Sequence, residues 1–397
     1  MVQVRYGAAM SRDARAVRSR RLVGEAVARL PQPTRGEIAR TTGLSGSTVA
    51  AVVRELVAEG RLAELAPEVA GARGRPVTRL VLADVPGVVL GVDLGHRHAS
   101  VAVASVAEEV LAERRVENDG TPGADELIST AEGLVEQVLA SAGVDRSLVR
   151  RCVVTVPAPI DPGSGRVHDA PIVVPAWRGR RPAEELARAL ALPVSVANDA
   201  NAGAVGERSY GVGGSVDDLV YLNATLGVGA GLVLGGRVYA GPDGAAGEIG
   251  HIRLPEASGL CRCAQYGCLE SVASVRALSP KLAAVGVEMG EVAGYEDLRR
   301  HAGHPAVRRL LAEAGRGLGN VLADICNLLS PSMVIIGGEL AAGGEIVRES
   351  IRDSLDRHAL STVARSVRIE FSRLGPSAAL RGAVALAAHE VRVDSAV

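Results

Sequence analysis

Three of the chain's five cysteines, Cys261, Cys263 and Cys268, fall within eight residues, and His251 stands ten positions before the first. Three thiols and an imidazole at this spacing form a donor set suited to tetrahedral zinc. Four protein ligands leave no open position for water, so such a site holds structure and does no catalysis. The competing reading is a loop of packed, reduced thiols. Two carboxylates frame the cluster: Glu248 in GEIGH, ahead of His251, and Glu270, two residues past Cys268. Carboxylates beside an imidazole grip polar ligands by charge-assisted hydrogen bonds, although either glutamate alone reads as a surface charge. Upstream, Asn198, Asp199 and Asn201 in VANDAN close an apolar run. Taken alone, NDAN reads as an Asx turn capping a helix; at the end of a sheet strand the same groups are placed to meet a ligand.

These residues are far apart along the chain, and only a fold that gathers loop ends brings them together. Alternating segments supply one. Strand patterns at GVVLGVDLG (87–95), VAVAS (101–105) and RCVVTV (151–156), amphipathic helices near 124–142 and 182–190, and a strand in PVSVAND predict an α/β fold with mixed sheets. At 397 residues the chain is long enough for two or three folding units, and 47% hydrophobic with 22% charged residues is a globular composition. Aromatics at 2% leave packing to Val, Ala and Leu and argue against functions built on aromatic stacking. The longest uncharged run, 219–236, carries Asn223, Thr225 and several glycines, which suits strand, turn and strand and not a membrane span. The opening residues, MVQVRYGAAMSRDAR, lack the apolar core of a secretory signal, so a cytoplasmic, reducing location is expected. There, cysteines serve as metal ligands or buried thiols more readily than as disulfides, and Cys152 and Cys326 are expected as small core residues.

Net charge is −1 overall, but residues 1–80 hold 14 Arg against 7 acidic residues, and the remainder sums to −8. A basic end on an acidic body suggests a polyanion-binding module. Within it, TRGEIARTTGLSGSTVAAVVRELVAEGRL has the grammar of two helices and a tight turn. Thr34 and Glu37 form a capping-box signature, Gly43 stops the first helix, and Ser45 caps a second whose Val49, Val52, Val53, Leu56 and Val57 share one face. The other face presents Ser45, Ser47, Thr48, Ala51 and Arg54, small and polar enough to enter a major groove. Strand-like runs at 62–65 and 78–82 flank PEVAGARGRPV, a wing whose Arg73 and Arg75 are suited to phosphates or a minor groove. With a preceding helix near 14–30, the segment reads as a winged helix-turn-helix for double-stranded DNA. Its candidate contacts are Arg35, Ser45, Ser47, Thr48, Arg54, Arg73 and Arg75. The plainer alternative is a helical packing domain with a solvated basic face.

Several stretches taken together resemble the ROK family of repressors, open reading frames and kinases, in its regulator branch with xylose-type and glucose-type repressors. They are GVDLG (91–95), VANDANAGAVGE (196–207), TLGVGAG (225–231), GAAGEIGHI (244–252), CRCAQYGC (261–268) and VIIGGEL (334–340), in order along the chain. The resemblance implies a two-lobed, actin-like or ribonuclease-H-like fold. It implies a sugar held between the lobes by Asn198, Asp199, Glu248, His251 and Glu270, with Asp199 matching the catalytic base of family kinases. His251 is expected to serve zinc with one ring nitrogen and sugar with the other. The expected domains are a DNA-binding domain at 1–84, a first lobe at 85–200 completed by a C-terminal helix at 376–397, and a second lobe at 201–375. The family's glycine after the second cysteine is Ala264 here, which adds a methyl to the turn and removes no ligand.

The same resemblance separates regulator from enzyme. Phosphate loops need glycine so that backbone N–H groups can approach closely. Family kinases carry a second glycine and a hydroxyl after Asp-x-Gly, where DLGHRH has His96 and Arg97. A hydroxyl of the second loop is replaced by Val228, and the third glycine of the GGG motif by Glu339. The expected function is therefore a sugar-responsive regulator of carbohydrate genes, most simply a repressor, with no catalytic residue and Asp199 a vestigial base. It is expected to bind operator DNA as a homodimer or tetramer, with 309–329 as a candidate interface helix, and Arg97 leaves a sugar phosphate open as effector. The alternatives are an ATP-dependent sugar kinase with an accessory DNA-binding domain, and a repressor whose cleft is vestigial.

Overall fold

The computed structural model describes residues 12–30, 32–65, 78–83, 85–118, 122–170, 172–173, 175–287 and 295–396. The expected wing contacts Arg73 and Arg75 lie outside the described residues. The chain divides into two compact units, Met1–Val88 with Ala388–Val397, and Val89–Ala387.

In the first unit, helices α1 (Arg12–Arg29), α2 (Arg35–Thr42) and α3 (Gly46–Ala58) precede a short antiparallel pair, β1 (Leu62–Glu64) and β2 (Leu80–Leu82). The capping box forms as the sequence predicts. The Glu37 N–H donates to Thr34 Oγ1 at 3.2 Å, and the Thr34 N–H donates to the Glu37 carboxylate at 2.8 Å. Gly43 ends α2 at φ 69°, the left-handed conformation that glycine adopts at least cost. Two residues later Ser45 caps α3, its Oγ accepting from the Thr48 N–H at 3.1 Å. The turn so fixed lets one apolar core close over three helices and the strand pair: Val23, Ile38, Val49, Val53, Leu56, Leu62 and Leu80 are at most 2% exposed.

The second unit contains two sheets built to one plan. Strands β3 (Val88–Leu94), β4 (His98–Ser105), β5 (Val110–Glu117), β6 (Val149–Val156) and β7 (Val194–Asn198) lie in the order β5-β4-β3-β6-β7, with helices α4 (Ala124–Ala142) and α5 (Pro182–Leu190) between strands. After α6 (Asp199–Ser209), strands β8 (Leu219–Ala224), β9 (Val228–Leu234), β10 (Arg237–Val238), β11 (Met333–Gly337) and β12 (Arg368–Phe371) lie in the order β10-β9-β8-β11-β12. Counted within each sheet, both orders are third, second, first, fourth, fifth. The first three strands form hairpins, β4 with β5 and β8 with β9 antiparallel, while β6 with β7 and β8, β11 and β12 run parallel. This is the actin-like, two-lobed architecture.

Between β10 and β11 the chain inserts the cysteine loop and helices α7 (Glu270–Ala273), α8 (Val275–Ala283), α9 (Tyr295–Arg300) and α10 (Pro305–Leu329). Helices α11 (Glu345–His358) and α12 (Ser361–Ser366) join β11 to β12, and α13 (Ala378–Ala396) follows. The expected interface helix, α10, turns Leu311, Leu318, Val321, Leu322, Ile325 and Cys326 into the core with Val347 and Ile351 of α11, and leaves Leu328 81% exposed. Cys152 is likewise buried. No described helix is long and apolar enough to cross a membrane.

Glycine permits one unusually close approach. A Cβ on Gly206 of α6 would lie 2.2 Å from the Ala378 carbonyl oxygen, and one on Gly382 of α13 would lie 1.7 Å from the Ala202 carbonyl oxygen. Gly382→Ala should therefore lower unfolding free energy by at least about 1–3 kcal/mol through overpacking. Gly133→Ala, on the exposed side of α4 with no atom within 4 Å of the new methyl, should raise it by roughly 0.5–1 kcal/mol through helix propensity. Urea unfolding of both variants checks the opposite signs.

Candidate functional site

Strand carboxyl ends from both sheets converge on a cleft, the usual ligand position in a sheet whose order reverses about its first strand. Asn198 is the last residue of β7 and Asp199 the first of α6; Glu270 opens α7, while Glu248 and His251 bracket a short turn of 3-10 helix. All five line the same cleft, as do His96 and Arg262, which sequence reasoning had not assigned to it.

The cap reading of NDAN holds, and Asn198 and Asp199 also line the cleft. Asn198 Oδ1 accepts from the Asn201 N–H at 3.0 Å, making the helix cap, while Asn198 Nδ2 donates to the Ala158 carbonyl and to Asp199 Oδ1, each at 3.2 Å. The second Asp199 oxygen accepts from Asn223 Nδ2 at 3.1 Å. Asn201 is itself buried, and its side-chain oxygen has no hydrogen-bond partner among the described residues. Asn223 was legible only as a polar residue at the end of an apolar strand.

The cleft is crowded with acids. Burial, then the neighbouring charges of Asp93 and Glu248, pushes the Asp199 carboxyl up to about 7. Burial and then Glu270 push Glu248 up to about 7 as well. Asp93, at the end of β3, behaves differently. Burial opposes its ionisation, but His98 Nε2 at 2.7 Å and the Thr155 hydroxyl donating at 2.7 Å hold it below the ordinary aspartate value. Glu270 Oε2 accepts from the Val228 N–H at 3.3 Å, and Arg262 Nε lies 3.6 Å from its other oxygen.

The cysteine loop adjoins this cleft through His251. One donor atom from each of His251, Cys261, Cys263 and Cys268 lies within 4.8 Å of the other three. His251 Nδ1 is 3.6 Å from Cys261 Sγ, and Cys263 Sγ is 3.5 Å from Cys268 Sγ. Zn–S bonds of about 2.3 Å and Zn–N bonds of about 2.0–2.1 Å set tetrahedral donors roughly 3.5–3.8 Å apart, so the group has the size and chemistry of a structural zinc site. The remaining nitrogen of His251, Nε2, is 4.0 Å from Glu248. Ala264 adopts φ 68°, so the methyl added at the family's glycine position sits in a left-handed turn.

The turn after β3 and the loop after β11 are occupied by side chains. The His98 ring lies so close to Gly95 that a Cβ there would fall 2.3 Å from it, and Arg97 Nη2 is 3.3 Å from Glu339 Oε1. In the basic unit, Ser45, Ser47 and Arg54 are exposed along α3 and Thr48 partly so. Ser45 Oγ is 2.9 Å from Ser47 Oγ and 2.8 Å from Thr48 Oγ1, which knits three hydroxyls at the helix start. Arg35 is paired with Glu64 of β1.

The model of the ROK family matches residues 89–390. A xylose repressor of Caldicellulosiruptor bescii is 29% identical over 365 residues, covering 89% of this chain and 91% of that protein. A glucokinase of Streptomyces coelicolor is 30% identical over 321 residues, covering 76% of this chain and 98% of the enzyme. A solved ROK family transcriptional regulator, a homolog of the E. coli MLC protein, superposes with a TM-score of 0.73 at 26% identity, covering 96% of this chain and 97% of its own. The regulators thus match nearly end to end, whereas the glucokinase leaves about a quarter of this chain unmatched. Sheet plan, motif order and these likenesses agree: the chain belongs to the ROK family.

Proposed function

We propose that this chain is a sugar-responsive, DNA-binding transcriptional repressor of carbohydrate uptake or metabolism genes. Its effector sugar is held by Asn198, Asp199, Glu248, His251 and Glu270, and its operator is read by the start of α3. The observation that carries the reading is that one chain holds both a helix with an exposed, hydroxyl-rich start in its basic unit and a cleft that gathers those five polar groups. Adjacent sugar hydroxyls need donors and acceptors in alternation, which amide, imidazole and carboxyl groups supply. Sugar binding favours one arrangement of the two lobes over another, and that preference is the currency in which DNA affinity changes. A palindromic operator requires paired copies, so the working form is at least a homodimer. The domain limits proposed are 1–84 for DNA binding, 85–200 with 376–397 for one lobe and 201–375 for the other.

Zinc, when bound, supplies a fixed cross-link of the loop. His251 then keeps Nδ1 on the metal side and Nε2 toward Glu248 and the sugar. The kinase reading is disfavoured because the chain's own groups take up the phosphate loops: His98 against Gly95, Arg97 on Glu339, and the Val228 N–H on Glu270. The retained Asp199 is the observation in favour of that second reading.

Thermal-shift measurements with D-xylose, D-glucose and their phosphates, followed by gel shifts on the upstream DNA, test the proposal. A stabilising sugar should release or load the operator, and ATP-dependent turnover lost in Asp199→Asn would overturn the regulator reading. Chelating the metal should lower the melting temperature and abolish the sugar response together. Ala264→Gly should stabilise the protein by about 1 kcal/mol, read by urea unfolding, because it relieves the left-handed alanine. Asp199 binds its proton up to about 7 when folded, against roughly 4 when unfolded, so its stabilising contribution is complete below about pH 4 and lost as pH rises to about 7. The unfolding free energy of wild type minus Asp199→Asn should fall by roughly 2–4 kcal/mol across that window, measured in urea at each pH.

A further inference from the structure

We propose that His96 is a direct contact of the bound sugar and that the ion pair Arg97–Glu339 is the positioning element that aims it. The inference rests on the sugar-site reading above and adds a group from the turn between β3 and β4, in the sheet whose strand β7 carries Asn198. His96 stands on the turn between β3 and β4, in a stretch read from sequence as belonging to the phosphate loops, yet its side chain lines the cleft with Asn198, Asp199 and Glu270. Among the described residues neither ring nitrogen of His96 has a hydrogen-bond partner, so an otherwise enclosed imidazole faces the cleft with its polar positions open.

The turn is held on both sides of that ring. Behind it, Gly95 lies against the His98 ring, which is itself hydrogen-bonded to Asp93 at 2.7 Å. Ahead of it, Arg97 reaches 3.3 Å to Glu339, on the loop that follows β11 in the other sheet. The second oxygen of Glu339 is buried without a hydrogen-bond partner among the described residues, so the carboxylate depends on the arginine for its pairing. A partly buried pair of this kind is costly to break from one side, because the remaining charge stays in place uncompensated. The turn is thus fixed by contacts to both sheets, and His96 goes where the turn puts it.

The chemistry of the ring suits a hydroxyl group. Burial, and after it the positive charges of Arg262 and Arg276, hold its pKa down to about 4. At neutral pH the imidazole therefore carries one N–H donor and one bare nitrogen acceptor, the complement of an alcohol that both accepts and donates. Glu248, His251 and Glu270 come to the cleft from the connection between β10 and β11; His96 adds a donor and an acceptor beside Asn198 and Asp199 from the first sheet.

Calorimetric titration of the full-length protein with D-xylose, D-glucose and N-acetyl-D-glucosamine tests this, the tightest binder being carried forward. His96→Ala should weaken binding about tenfold or more, and His96→Gln, which keeps a donor and an acceptor, should recover most of the loss. His96→Leu, which fills the space without polarity, should bind as weakly as the alanine variant and serves if that variant does not fold. Arg97→Met should weaken binding roughly threefold or more in the wild-type background and cause no further loss in the His96→Ala background. Unchanged affinity in His96→Ala and His96→Leu overturns the assignment of His96. An Arg97→Met effect of the same size with and without His96 overturns the positioning role. Asn198→Ala separates the two levels. If it abolishes binding while the His96 variants do not alter it, only this inference falls; if it leaves binding intact, or wild type binds none of the three sugars, the sugar site itself falls and this inference with it.

Discussion

Four carboxylates, Asp93, Asp199, Glu248 and Glu270, lie in or beside one cleft, and the cost of burying negative charge there, from burial first and neighbouring charges second, is the constraint on which the site depends. Each meets it in its own way. Asp93 stays ionised against His98 and Thr155; Glu270 leans on a backbone N–H and Arg262; Asp199 and Glu248 retain protons almost to neutrality. The cysteine loop matters here for more than its thiols, since it carries both Arg262 and His251 to the acids. Whatever holds that loop in place also sets how Arg262 and His251 face the acids.

Much of this was legible in sequence, and the reason is that the legible parts are local. Helices α4 and α5 run over the residues their periodicity predicts, and the Thr34–Glu37 box, the Gly43 stop and the Ser45 cap of α2 and α3 depend on neighbours within four positions. The grouping of His251 with three cysteines was visible because their spacing is itself the signal. Strand β5 was not foreseen: its VLAERRVE alternates with charge on an exposed edge and offers no apolar face. His96 was placed with the phosphate loops because its direction is decided by Arg97, whose partner Glu339 lies 242 positions away. Arg35 was read as a DNA contact; the strand at 62–65 was legible, but the pairing of Arg35 with its Glu64, 29 positions away, was not.

The contact between α6 and α13 shows how the site is tied to the rest of the fold. α6 begins at Asp199 and so carries the cleft at its first residue. Seven residues after Asp199, Gly206 meets the backbone of α13, and Gly382 meets α6 in return. Helices in backbone contact have little freedom to slide, because no side chain lies between them to change rotamer. Any displacement of Asp199 is accordingly met by movement of a helix pair and not absorbed by side chains.

The two sheets share one strand order, yet the cleft they enclose is lopsided, and the lopsidedness has a simple origin. Between the third and fourth strands the first sheet inserts little beyond α4, whereas the second inserts everything from the end of β10 to the start of β11. In strand order the halves match, and the difference lies in that one interval. Because the connection between β10 and β11 carries Glu248, His251, Arg262 and Glu270, changing its length would reshape one wall of the cleft and leave the order of both sheets as it is.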